Sequence, residues 1–192
     1  VVVVELAKID ALFTEILDVA RALMRADFAS LQHLVPERQA LMLLAYQGFT
    51  PAAARHWEWV RADDTTACGI AMARVEAITV PDVELWELVA GTTDLEHFRA
   101  CGIRAILSTP LIARDGRLVG MLSTHWRHVH QPSARELRLL EVVARVAADP
   151  ELVRRSLAAY GVEPRPDVVT RAIAAFVRTI ISGGSRYDRF RA

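Results

Sequence analysis

Cysteine, lysine and surplus charge are all scarce in this chain of 192 residues, and each shortage excludes something. Two cysteines, Cys68 and Cys101, cannot build a disulfide framework, and no basic start followed by an apolar run marks an exported chain, so a cytoplasmic protein is expected. Basic and acidic side chains number 23 each, a formal net charge of +0 that offers no global field to gather nucleic acid or an anionic membrane surface. No nucleic-acid partner is expected. Apolar runs such as Leu41–Tyr46 are far shorter than the roughly 20 residues that cross a bilayer, which argues against a membrane span. Lysine is represented by Lys8 alone, a bias toward arginine that reads as genome composition. The chain opens on Val1-Val2-Val3-Val4 without methionine, which reads as a piece of a longer protein. What is plentiful is apolar: 53% of the residues are hydrophobic, enough for one substantial core and too much for a chain that is mainly disordered.

Hydrophobic spacing then orders the chain. Leu6, Ile9, Phe13, Ile16, Ala20 and Leu23 recur every three or four residues and predict a first helix over 5–25. Phe28–Val35 and Leu41–Tyr46 flank the polar Pro36-Glu37-Arg38-Gln39 and read as two strands of a hairpin. Thr50-Pro51 starts a short helix expected to reach Trp59, and Asp64-Thr65-Thr66 caps another running to Arg74. A short strand follows over 77–80, then a long covering loop over 81–100 with a helical turn near its end. Asp115-Gly116 between two strand-like runs is the strongest hairpin signal in the chain. Ser133 and Glu136 form a capping box ahead of Leu137, Leu140, Val143 and Ala147, so a long amphipathic helix begins there. Pro164 and Pro166 stiffen a linker, Val169, Ile173, Phe176 and Ile180 make a helical seam, and Ser182-Gly183-Gly184-Ser185 frees the end. The domains expected are therefore 1–148 and a C-terminal helical extension, 149–192.

This order predicts an α+β fold, a central antiparallel sheet with helices on one face and a covering loop with short helices on the other. Ala67-Cys68-Gly69, Ile78-Thr79-Val80-Pro81-Asp82-Val83, Ser108-Thr109-Pro110-Leu111-Ile112 and the run from Asp115-Gly116-Arg117-Leu118 through Ser123-Thr124-His125 resemble a GAF domain, in the flavour that accompanies bacterial sensor histidine kinases. The resemblance covers roughly residues 6–148. It implies a non-catalytic sensor module of signal transduction, of the kind found in two-component systems. Such a module holds an unidentified small molecule between sheet and covering loop, pairs as a homodimer through its first and last helices, and leaves the effector outside this chain. Ile9, Ile16, Leu140 and Val143 are the expected dimer contacts. His130 is the last histidine, so 149–192 contain no phosphoaccepting histidine.

The Asp115-Gly116 turn fixes which residues share a face. It pairs Arg114 with Arg117, Ser108 with Ser123 and Ile106 with His125. One face then carries Leu107, Leu111, Leu122 and Trp126 and suits the helices. The other carries Ile106, Ser108, Pro110, Ile112, Val119, Met121, Ser123 and His125, apolar walls with a few directional polar groups, as in a small-molecule pocket. Ser108, Ser123, His125, Cys68, Trp86 and Phe98 are the candidate ligand-binding residues. The plainer reading of each is a group that hydrogen-bonds or seals the covering loop. Trp57 and Trp59 fall in segments that would cover the same mouth, and Arg99 and Arg104 are cations available to an acidic ligand.

Cys68 in the first turn of its helix is placed where the dipole favours a thiolate, though packing is the commoner use of a free cysteine. With Cys101 it supports the alternative reading that the resemblance offers, a GAF-fold free-methionine-R-sulfoxide reductase. That family's third cysteine and acidic pair are missing, so no catalytic residue is assigned. Covalent bilin attachment would need a cysteine followed closely by histidine, and a haem would rest on His97 or His125 alone. The cofactor is left open. His128 and His130 read as a solvated loop with no metal site.

Overall fold

Around Asp115-Gly116 the chain does form a hairpin, and it lies inside a six-stranded antiparallel sheet. The computed structural model describes residues 2–148, with side chains from Phe13 onward. The linker and helices expected over 149–192 lie outside the described residues. The strands are β1 (Phe28–Val35), β2 (Ala40–Gln47), β3 (Trp59–Arg61), β4 (Ile78–Val80), β5 (Ala105–Ile112) and β6 (Leu118–Trp126), ordered β3-β2-β1-β6-β5-β4.

From Ala105 opposite Trp126 to Leu111 opposite Gly120 the β5–β6 register is the expected one. Next to the turn it is not. Ala113 N–H donates to the Arg117 carbonyl at 2.9 Å and Gly116 N–H to the Ala113 carbonyl at 2.9 Å, which makes a three-residue loop with Gly116 at φ 85°. Asp115 keeps a negative φ, so the dipeptide is not the centre of a two-residue primed turn but the end of a three-residue loop with its glycine in the left-handed region. One residue of β6 becomes extra: Ile112 faces Leu118, and Val119 packs on the terminal-helix core rather than on the pocket face expected for it. The Arg114–Arg117 pair is likewise displaced.

α1 (Val2–Met24) and α5 (Ala134–Ala147) pack on each other and on one sheet face. The capping box is complete: Ser133 Oγ accepts from Glu136 N–H at 3.3 Å, and the Glu136 carboxylate accepts from Ser133 N–H at 2.7 Å. Leu17, Met24, Leu31, Leu107, Leu122 and Trp126 fill this layer, with Trp126 Nε1 donating to the Met24 carbonyl at 3.2 Å. Ile16, Leu140 and Val143 are 2%, 0% and 1% exposed inside the same layer. They serve the core of one chain and are not open to a partner, which corrects three of the four expected dimer contacts; the side chain of the fourth, Ile9, lies outside those described. His130 is also drawn inward, its ring 4.2 Å from that of Trp126, and is not a solvated loop residue. Among the described residues no helix is long and apolar enough to cross a membrane.

The other face is covered by α2 (Pro51–His56), α3 (Ala67–Arg74) and α4 (Thr93–Cys101). α2 stops before Trp59, which instead opens β3 and pairs with Met42. The segment expected as a long loop over 81–100 holds two single-turn helices, Val83–Leu85 and Glu87–Val89, and then α4, whose first turn carries Asp94 and Glu96 where the helix dipole favours them.

Candidate functional site

Three serines on adjacent strands lie directly opposite one another: Ser30 on β1 faces Ser123 on β6, which faces Ser108 on β5. All are buried. Thr66 caps α3 by accepting from Gly69 N–H at 3.0 Å, and the first turn of that helix lowers Cys68 onto the row. Its Sγ lies 3.3 Å from both Ser108 Oγ and Ser123 Oγ, while Ser123 Oγ donates to Ser108 Oγ at 3.0 Å. Gly69 is required here, because a Cβ would stand 2.6 Å from the backbone oxygens of Arg61 and Asp64. Beside the row, Gln32 opposes Met121 and His125 opposes Phe28.

Aromatic rings close over these groups. Phe49 meets the His125 ring edge-on at 5.2 Å and Trp57 edge-on at 5.2 Å, and Trp57 stacks on Phe98 at 5.0 Å. They border a cavity of about 30 Å³ whose polar walls are Ser30, Gln32, Thr66, Cys68 and His125. That is room for about two water molecules. No Asp, Glu, Lys or Arg side chain lines it.

The polar atoms are unevenly satisfied. Both ring nitrogens of His125 and Oε1 of Gln32 are buried with no hydrogen-bond partner in the protein, where buried polar groups ordinarily have one. Burial pushes the His125 imidazole down to about 3, so it is neutral and offers one donor and one acceptor nitrogen. Burial pushes the Cys68 thiol up; the two serine hydrogen bonds work the other way and the nearby Asp94 charge adds to the rise. Desolvation outweighs what one turn of aligned N–H groups offers a thiolate, in keeping with the packing role that is the commoner use of a free cysteine. Cys101 has a separate setting, its Sγ accepting from Thr50 N–H at 3.4 Å, and both cysteines are free.

Ser108, Ser123, His125, Cys68 and Phe98 are thus brought together, whereas Trp86 is not. It borders a surface groove along the β4 edge with Ile78, Leu85 and Leu88. Trp59 sits on β3 under the Arg38 guanidinium, 4.4 Å from its ring centre. The two arginines offered for an acidic ligand are consumed: Arg104 forms a two-pronged pair with Asp82 at 3.0 and 2.6 Å, and Arg99 one with Glu84 at 2.9 and 2.6 Å. Each guanidinium holds its carboxyl below the usual carboxylate range. Ser30, Gln32 and Phe49 escaped the sequence reading. The alternation Phe28, Ser30, Gln32 already put the two polar residues on one face of β1; that β1 lies beside β6 is a long-range fact no local pattern carries.

Among the described residues no group of three or more His, Cys, Asp and Glu side chains could hold a metal ion. His56 and His97 come close, with ring centres 4.3 Å apart, and His56 Nε2 is 3.0 Å from Asp94 Oδ1, but neither histidine lines the cavity.

A family model described as GAF domain matches residues 8–149. Among solved structures the chain is similar to a domain assigned to a two-component sensor histidine kinase of Sinorhizobium meliloti, with TM-score 0.58 and 22% identity over 78% of this chain and 94% of that one. It is also similar to the GAF domain of a phosphoenolpyruvate-protein phosphotransferase from Coxiella burnetii, with TM-score 0.55 and 21% identity over 70% and 76% of the two chains. A third similar structure is fRMsr of Staphylococcus aureus in its reduced form, with TM-score 0.50 and 16% identity over 65% and 70%. No curated protein matches. Identities this low speak for the fold alone.

Proposed function

The chain belongs to the GAF domain family, and from that premise we propose that residues 1–148 are a non-catalytic sensor module whose small-molecule ligand binds in the cavity between the β1–β6–β5 face and the Trp57–Phe98 cover. Residues 149–192 are proposed as a separate extension, with the signal passed to an effector of a two-component or similar pathway. The observation that carries this reading is the pair of buried polar side chains, His125 and Gln32, that line the cavity with no protein partner for the ring nitrogens or for Oε1. Buried groups left unpaired in this way cost about 1–3 kcal/mol each, a deficit that a bound molecule relieves. Ser108, Ser123 and Cys68 satisfy one another, Cys68 alone of the three reaching the cavity wall, while Phe98 belongs to the cover.

The reductase reading is less well supported. An attacking cysteine needs a base or a cation to hold its thiolate, and Cys68 has two neutral hydroxyls and a raised thiol instead. A homodimer stays within the proposal, but through surfaces other than Ile16, Leu140 and Val143.

The reading is tested by screening a panel of small fragments against the full chain by ligand-observed NMR, with His125→Ala alongside. Binders are expected whose signal falls at least about tenfold in the variant, as loss of a buried hydrogen-bonding group implies. Binders indifferent to His125→Ala, in a variant whose spectrum is still that of a folded chain, would place the ligand elsewhere.

A further inference from the structure

We propose that the cavity under Trp57 and Phe98 selects a compact, uncharged molecule carrying both a hydrogen-bond donor and an acceptor, a primary amide being the simplest such group, held between Gln32 Oε1 and the His125 ring. This rests on the reading of the site just given and goes beyond it by naming the chemistry of the occupant.

The requirement for both a donor and an acceptor comes from the unpaired atoms. Gln32 Oε1 only accepts, so the occupant must donate to it. A neutral imidazole has one N–H, and that N–H needs an acceptor, while its second nitrogen takes another donor. Gln32 and His125 are 3% and 5% exposed, so bulk water does not serve them. A molecule that only donates leaves the imidazole N–H orphaned, and one that only accepts leaves Gln32 Oε1 orphaned.

Neutrality follows from what surrounds the space. No Asp, Glu, Lys or Arg side chain lines it, so an ion would be buried without a counter-charge, which is far more costly than burying an amide. The acidic group that makes itself felt there is Asp94, whose charge opposes a thiolate at Cys68 and would oppose any other anion. Nor is Asp94 free for a cation, since its Oδ1 already accepts from Trp57 Nε1 at 2.8 Å and meets His56 Nε2 at 3.0 Å. Size is the third constraint. A cavity of about 30 Å³ admits a molecule of three or so non-hydrogen atoms in place of about two waters. Replacing those waters is favourable only if the entering group reproduces their hydrogen bonds.

Formamide, formate and formamidinium share one shape and differ in charge, so they separate these requirements. Each is titrated into the full chain, and binding is read from the ring ¹⁵N signals of His125 and the backbone amides of Ser30 and Gln32. Formamide is expected to give saturable shifts at these positions, with both ions at least about tenfold weaker. Gln32→Leu should weaken formamide about tenfold and leave a well-dispersed spectrum, because it removes an oxygen that has no partner in the protein. Either ion binding as tightly as formamide at these residues overturns the neutral class while leaving the site in place. Absence of a saturable formamide shift overturns the proposal as well, and only fragments that ignore His125→Ala would remove the site itself.

Discussion

Stability of the wild-type chain should fall more steeply than that of His125→Leu as pH drops below neutral. The ring is pushed from 6.5 down to about 3 by burial, so between those values the unfolded chain takes a proton that the folded chain refuses. The sign is therefore fixed: the contribution is intact above pH 6.5, is lost progressively as pH falls toward 3, and is gone below both values. The slope is about 1.4 kcal/mol per pH unit, so roughly 3 kcal/mol is lost by about pH 4. Carboxyls held low by neighbouring arginines, Asp82 by Arg104 and Asp115 by Arg117, also lose stability in acid, but equally in both proteins. Urea unfolding of the two proteins across this range isolates the histidine. Parallel curves would mean that the ring is protonated in the folded chain, and the neutral pocket would fail with it.

Trp126→Ala should be the most damaging truncation in the helical layer, about 3–5 kcal/mol by urea unfolding. The ring is fully buried, carries the hydrogen bond to the Met24 carbonyl at 3.2 Å and supports His130, so truncation opens a cavity and orphans an acceptor together. Leu85→Ala is the control. Leu85 is 81% exposed and its loss should fall within about 0.5 kcal/mol. Comparable effects from the two would contradict the placement of the core.

How far the sequence carried this structure depended on the range of the signal. Ser133 and Glu136 are three residues apart and their capping box is present atom for atom. The hairpin parity placed Ser108, Ser123 and His125 on one face correctly, because side chains alternate strictly along a strand and the error at the turn was absorbed by a bulge at Val119, between the Leu111 and Ile112 pairs. Val119 shows the limit: the dipeptide Asp115-Gly116 is compatible with a two- or a three-residue loop, and only the chosen loop decides whether the next residue points up or down. Trp59 was read as helical because Pro51 starts a helix strongly, whereas the pairing with Met42 that ends it comes from seventeen residues upstream. Trp86 was expected at the cavity and Gln32 was passed over for a related reason. Whether an aromatic on a covering segment reaches the cavity, or a polar strand residue faces it, is set by the neighbour across the sheet and not by the neighbours in the chain.

Ile16, Leu140 and Val143 failed as dimer contacts on different grounds. Apolar stripes on α1 and α5 look the same whether they meet a partner or each other, and here they meet each other over the sheet. Similarly, Arg99 and Arg104 advertise charge in a sequence, but Glu84 and Asp82 on the covering segment had already claimed them.

Diffraction from crystals of the full chain, at a resolution that shows ordered water, tests the enclosed polar site most directly. The expected map has non-protein density in the cavity within about 3 Å of both Gln32 Oε1 and a ring nitrogen of His125, replaced by a planar three-atom feature after exposure to formamide. A map in which Gln32 and His125 hydrogen-bond to other protein groups, with the rings of Phe49 and Trp57 closed onto the sheet and no space between, would contradict it.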